Sequence, residues 1–355
     1  MKSFVLRDGV LVGAVVLVLA GCAPVPTDDG TAGPGSDFCA RMVTNSGGLE
    51  DRSFNEASWA GLEQAADQFG IGVDVLVSTS EVDLVPNVEQ AVGTGCDFIL
   101  TVGWELAPAT SESAAANPDV DFAIVDEVVD APNVKPIVFD TAQAAYLAGY
   151  LAAGVSQTGK VATFGGGKQP PVTLFMDGFV DGVARYNEVH GTSVTVIGWD
   201  KATQDGLFTG DFEDINKGLV TTQGLIDQGV DVILPVAGQV GEGAARAALD
   251  SGGKALVIWV DSDGYETLAA EFRPVLLTSV LKNTGPAVVD IVKSSLDETF
   301  DNAPYIGTLE NGGVDIAPYH DLDARVGAPL AAEIDALRAE IIAGSIEVTS
   351  PSSPR

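Results

Sequence analysis

Eight short apolar runs, each ending in a polar or glycine-bearing turn, alternate with stretches of helical spacing, and that alternation constrains the fold more than any other feature of this chain. In the first part the runs are FCARMVTN, GVDVLVST, DFILTVG and DFAIVD; in the second they are KVATFGG, SVTVIGW, DVILPVAG and ALVIWVD. Runs this short and this rich in Val, Ile and Phe read as strands. Between them the apolar residues fall at helical spacing, as in Phe54, Ala57, Gly61, Leu62, Ala65 and Phe69. Further helices are expected at Ala142 to Val155, Phe175 to Val189, Lys217 to Gln228 and Gly241 to Ser251. Ser53 and Glu56 have the S-x-x-E spacing of a capping box, which marks the start of the first helix. Strand and helix in regular alternation imply an α/β fold, with parallel sheets covered on both faces.

At 355 residues the chain is too long for one ordinary domain. Two similar α/β lobes create a cleft, and in open α/β sheets ligands sit beyond the carboxyl ends of the strands. The unusual polar and glycine residues gather at those ends: Asn45, Trp104, Asp126, Gly166, Gly167, Gly238 and Asp261 each follow an apolar run.

The first residues carry Lys2 and Arg7, then the apolar run Val10 to Ala20, then LAGC ending at Cys22. An apolar run of that length is too short to span a bilayer, so residues 1–21 read as a lipoprotein signal peptide, with Cys22 the lipidated first residue of the mature protein. Acyl chains contribute about 0.8 kcal/mol per buried CH₂, enough in a diacylated cysteine for stable anchoring. The expected location is the extracytoplasmic face of the cell membrane. Residues 22–37, rich in Pro, Gly and Asp, read as a flexible tether. A formal net charge of −32 repels phosphate backbones, which argues against nucleic-acid binding. Outside the cytoplasm disulfides persist, and Cys39 and Cys96 open the first and third predicted strands, which are neighbours in a sheet of order 2-1-3. A Cys39–Cys96 bridge and two buried thiols both remain open on this reading.

Catalytic patterns are sparse. His190 and His320 are the only histidines and neither lies in a motif, so no catalytic triad, metal cluster or cofactor is expected. GGGKQP, Gly165 to Pro170, lacks the spacing and the Ser/Thr of a phosphate loop. For a binding role, Phe54 could face core or cleft. Asn45, Asp51 and Asn55 could cap a helix or fix a turn, Asp261 could form a turn, and Lys282 could be solvated or paired with a carboxylate.

The stretch VTNSGGLEDRSFNEASWAGL resembles the opening signature of the basic membrane protein (BMP) family, substrate-binding lipoproteins of nucleoside ABC importers of the purine nucleoside receptor type. The likeness continues through PDVDFAIVDE, PNVKPIVFDTAQAAYLAGYLAAGVSQTGKVATFGGGKQPPVTLFMDGFVDGV, FEDINKG, GVDVILPVAGQVGEGA, VIWVDSDG and LLTSVLKN, so that it covers roughly residues 40 to 290.

That resemblance implies a type I periplasmic-binding-protein fold whose two lobes close on a purine nucleoside. It places Ser53, Phe54 and Asn55 at the base, with Phe54 as one stacking wall. Phe212 becomes the opposite wall, with Phe208 and Trp199 as rivals. Asp126 serves the base or ribose side, Gly238 brings backbone near the sugar, Asp261 accepts from the ribose hydroxyls, and Lys282 reaches the ribose oxygens. Where many members have Asp and Phe, this chain has Asn45 and Trp104, which bears on the base edge preferred.

The expected partners are the nucleoside, a permease with its ATPase, and the membrane through Cys22; the protein is expected to be a monomer. Expected lobe boundaries are 38–140 with 262–280, and 141–261 with 281–350, followed by a disordered tail at 351–355. A sugar receptor of the same fold is the nearest alternative. A surface nucleoside hydrolase would have to use Asp126 and Asp261 as its carboxylate pair.

Overall fold

The computed structural model describes residues 37–354, so the signal segment, Cys22 and nearly all of the tether lie outside the described residues. The first sheet contains β1 (Cys39–Val43), β2 (Gly72–Leu76), β3 (Phe98–Val102), β4 (Asp121–Val125) and β5 (Val134–Phe139). The second is built from β6 (Lys160–Gly165) and β7 (Thr195–Ile197), then, beyond a small ribbon of β8 (Trp199–Asp200) and β9 (Asp205–Gly206), β10 (Val232–Val236), β11 (Leu256–Asp261) and β12 (Leu276–Lys282). Two short strands finish the sheets: β13 (Tyr305–Gly307) pairs with β5, and β14 (Val314–Ile316) with β12. The spatial orders are β2-β1-β3-β4-β5-β13 and β7-β6-β10-β11-β12-β14, the same winding twice.

Side-chain alternation explains why each sheet is covered on both faces. Ala40, Met42, Phe98, Leu100, Ala123 and Val125 enter one core cluster, whereas Val43, Ile99, Phe122 and Ile124 enter another on the opposite face. The second sheet divides likewise, with Leu234 and Ile258 on one side and Ile233, Val257 and Trp259 on the other. Each fully buried Val, Leu, Ile or Phe stabilises by about 1.5–3 kcal/mol. Helical stretches are longer than the spacing implies at their N-termini, as in Pro170–His190, where prolines occupy the first turn that needs no backbone donors.

Besides the short strands β8, β9, β13 and β14, two full strands do not stand out as apolar runs. β5 contains Pro136, a residue that argues against a strand, yet it lies opposite Ile124 in the register. β12 carries Lys282 at its end and joins β11 in parallel.

The lobe boundaries need correction. The chain passes between the sheets three times: after β5 at Asp140, after β12 at Asn283, and between β13 and β14. Residues 276–280, expected in lobe one, belong with 281–282 to β12 of the second sheet, where they pair with the free edge of β11. The helix Thr284–Leu296, expected in lobe two, lies on the helix Phe54–Phe69 of lobe one. Gly61 and Gly285 permit that approach: a Cβ on Gly61 would come within 2.6 Å of the Gly285 Cα.

Cys39 and Cys96 form a disulfide at the starting ends of β1 and β3. Residues 351–354, expected within a disordered tail, continue a C-terminal segment that is laid on the helix Pro170–His190. There Ser350 Oγ donates to the buried Asp177 carboxylate at 2.6 Å, and Ser352 Oγ meets Thr173 Oγ1 at 2.8 Å.

Candidate functional site

One cleft of about 690 Å³, counted to its open mouth, collects the carboxyl ends of both sheets. Asn45, Phe54, Trp104, Asp126, Phe212, Gly238, Asp261 and Lys282 all line it. Phe54 enters from lobe one as the first residue of its helix, and Phe212 from lobe two. Gly166 seats the second ring, since a Cβ there would lie 2.5 Å from Phe212 Cδ1. Trp199 and Phe208 instead pack edge-on against each other at 5.9 Å, and neither lines the cleft.

Ser53 and Asn55 do not line the cleft; both are buried behind it. The reason lies in how the first helix is capped. Ser53 has the capping position, yet its hydroxyl makes no cap bond, and the role falls to Asp51. The Asp51 carboxylate accepts from the backbone N–H of Ser53 at 3.1 Å, Asn55 at 2.7 Å and Glu56 at 3.1 Å. Glu56 turns back to accept from Arg52 N at 3.1 Å, leaving the predicted Ser53–Glu56 box unmade. Asn55 is held by the same carboxylate at 3.0 Å, and its amide N–H donates at 2.8 Å to Asn45 Oδ1. Gly47 N donates to that same oxygen at 3.1 Å. A backbone N–H needs an acceptor, so the Asn45 amide orientation is fixed: its oxygen is occupied, and its Nδ2 is the face offered to the cleft. Asn55 is thus a positioning residue.

At the charged part of the cleft, Lys282 Nζ lies 2.6 Å from Asp126 Oδ2 and 3.4 Å from Asp261 Oδ1. It also sits 5.0 Å from the Phe54 ring centroid and 5.5 Å from that of Phe175. Burial by itself pulls the Lys282 pKa down, but the two carboxylates outweigh it and hold the ammonium above the ordinary lysine value. Both aspartates have left-handed backbone, with φ of 65° at Asp126 and 66° at Asp261. A non-glycine residue in that region costs about 1–3 kcal/mol and concentrates at binding sites.

Several lining residues had no sequence signal of their own, among them Gln239, Phe175 and Glu105. Gln239 Nε2 donates to Gly47 O at 2.8 Å, and Ser46 Oγ to Glu213 Oε1 at 2.7 Å. Both bonds cross the cleft, so the described conformation is closed. Glu105 follows Trp104 directly, at the start of a short helix, where a lone Glu carries no motif that would set it apart from a solvated charge. Burial pushes its pKa up to about 7, tempered by the Asn45 amide and reinforced by Glu213 and Asp126. Asp51 is likewise raised to about 6 by burial, against its backbone hydrogen bonds.

Two doubly wound lobes, joined by three crossings and closing over one polar and aromatic cleft, define a type I periplasmic-binding-protein fold. Over residues 39–350 the chain matches the Bmp model, described as ABC transporter substrate-binding protein PnrA-like, and it belongs to that family. It is 31% identical over 333 residues to the ABC transporter nucleoside-binding protein BmpA of Lactococcus lactis subsp. cremoris, covering 89% of this chain and 92% of that one. An uncharacterized lipoprotein of Pyrococcus horikoshii is 29% identical, over 88% of this chain and 76% of its own. Among solved structures, a solute-binding protein of an ABC transporter system from Aeropyrum pernix superposes with a TM-score of 0.76. That protein is 23% identical, over 88% of this chain and 94% of the other, a likeness that bears on the fold.

Proposed function

We propose that this substrate-binding protein holds a purine nucleoside between its lobes and presents the closed form to a membrane permease driven by an ATPase, while anchored outside the cytoplasm through lipid on Cys22. The observation that carries the reading is that two aromatic side chains from opposite lobes, Phe54 and Phe212, line one cleft together with Asp261 and Lys282. A nucleoside has a flat ring for the first pair and a sugar diol for the second. Each aromatic stack contributes about 0.5–1.5 kcal/mol beyond burial, and a charge-assisted bond from the diol roughly 1.5–3 kcal/mol. The ligand touches both lobes, so it binds the closed state better than the open one, and that difference drives closure. Asp126 and Asp261 are both engaged by Lys282, which suits sugar binding and gives neither carboxylate the separate role that hydrolysis demands.

A thermal-shift panel tests this reading. Purine nucleosides should raise the midpoint, by about 2.7 kcal/mol of stabilisation at a hundredfold excess over Kd. Free sugars and nucleoside monophosphates should not, because phosphates would meet a strongly acidic protein. A shift with sugars alone would replace the nucleoside by a sugar as ligand. Release of free base on prolonged incubation would make the protein an enzyme.

A further inference from the structure

The cleft holds a polar pair that the nucleoside reading has not used. Asn45 Nδ2 and Glu105 Oε2 lie side by side over Gly103: the point where a Cβ on Gly103 would stand is 3.2 Å from the first and 2.7 Å from the second. Gly103 has φ of 114°, and the absence of a side chain there is what lets both groups reach the same place. Asn45 has its oxygen tied to Gly47 and Asn55, so it can only donate. Glu105 Oε2 is shielded from solvent and meets no donor at hydrogen-bond distance and angle within the described residues, although the Asn45 amide and Glu105's own backbone N–H lie near enough to the carboxylate to temper its pKa. A buried carboxylate oxygen left unpaired destabilises the unliganded cleft, a cost that a ligand donor would remove.

The site therefore presents a donor beside an acceptor. A 6-oxopurine offers the complement: its O6 accepts and its N1–H donates, with a second donor at N2 when the base is guanine. Adenine offers the reverse order, with a donor at N6 and an acceptor at N1. A carboxylate takes the adjacent N1–H and N2–H of guanine together, in the bidentate geometry in which paired bonds are strongest.

Resting on the nucleoside reading above, we propose that Asn45 and Glu105 read the base edge and select guanosine-type nucleosides, Asn45 donating to O6 and Glu105 accepting from N1–H and N2–H. The groups facing Glu105 are Asn45, Glu213 and Asp126. Burial above all, and then the two carboxylates, disfavour its charge, and the ligand's donors restore it. Good bidentate base contacts discriminate by about 1–3 kcal/mol, so the wild-type protein should bind guanosine roughly tenfold or more tightly than adenosine.

Calorimetry with guanosine, inosine and adenosine on the mature protein and two variants tests the assignment. Glu105→Gln keeps size and shape but loses the second acceptor. It should lower the guanosine-to-adenosine affinity ratio about tenfold and affect guanosine more than inosine, which lacks the N2 donor. Asn45→Asp keeps the acceptor that Gly47 and Asn55 need but removes the donor, and should weaken guanosine and inosine alike relative to adenosine. Apo melting midpoints establish that both variants fold. Adenosine binding as tightly as guanosine to the wild type, or an unchanged ratio in Glu105→Gln, would overturn this inference and leave the nucleoside reading standing. Failure of all three nucleosides to bind would overturn both.

Discussion

Asp126 and Asp261 occupy matching places in the two lobes, each at the end of the fourth strand of its sheet, each with left-handed backbone, and each with its carboxylate against Lys282 Nζ. The repeated winding thus brings two equivalent acids to one cation, and the contact from Asp126 to Lys282 ties lobe one to lobe two. Closure is in this way built partly into the protein before any ligand contact.

Removing that cation should be costly. Lys282→Met leaves two buried carboxylates without a counter-charge, and breaking a buried pair in this way destabilises by roughly 3–5 kcal/mol. Denaturant titration should register a loss of this size, and calorimetry the loss of nucleoside binding. A variant of unchanged stability would show that the closed pairing contributes little.

The aromatic walls can be separated from their neighbours. Phe54→Ala and Phe212→Ala should each weaken nucleoside affinity by about tenfold or more through lost stacking and burial. Phe208→Ala should leave affinity near wild type, because that ring packs on Trp199 away from the cleft. The reverse ranking would move the second wall to Phe208.

Acidification should stabilise the unliganded protein. The folded pKa of Glu105 is raised from 4.5 to about 7, and that of Asp51 from 3.8 to about 6. Groups raised on folding give stability that is complete below their unfolded values and is lost as pH climbs through the folded ones. The melting midpoint should therefore fall between about pH 4 and pH 7, with Glu105 contributing on the order of 2–3 kcal/mol. Glu105→Gln should flatten the profile. Parallel curves for variant and wild type would contradict the raised value. In the same window guanosine affinity should weaken toward low pH, as protonation removes the acceptor.

The disulfide should matter for stability alone. Cys39 and Cys96 lie at the starting ends of β1 and β3, whereas the cleft collects the opposite ends. Closing a loop of 57 residues stabilises by about 4 kcal/mol in the chain-entropy account. The double Cys→Ser variant should lose stability of this order in denaturant while its nucleoside affinity stays unchanged. A large affinity loss would mean that the bridge shapes the cleft.

Strand-helix alternation made the two covered sheets legible, because period-two burial on both faces leaves near-continuous apolar runs. Residues at strand ends were legible for the same reason: Asn45, Asp126, Gly238 and Asp261 all follow such a run and all reach the cleft. What escaped reading depends on long-range pairing. Pro136 hid β5, since its ring argues against a ladder position that the neighbours nevertheless enforce. The swap of residues 276–280 and 284–296 between lobes follows from a free sheet edge and a glycine-to-glycine helix contact, neither of which is local. Ser53 looked like a cap by spacing, but Asp51 is the stronger acceptor and curls its loop to reach three backbone donors. Glu105 became visible only when Gly103 and Asn45 were seen to enclose it.

The central claim, that the lobes close on a flat base and its pentose, is tested most directly by diffraction from crystals grown with guanosine. The account predicts the base between Phe54 and Phe212, its O6 and N1 edge at Asn45 and Glu105, and its ribose hydroxyls at Asp261 and Lys282. A nucleoside bound outside this cleft, or inside it with the ribose between the two rings, would contradict it.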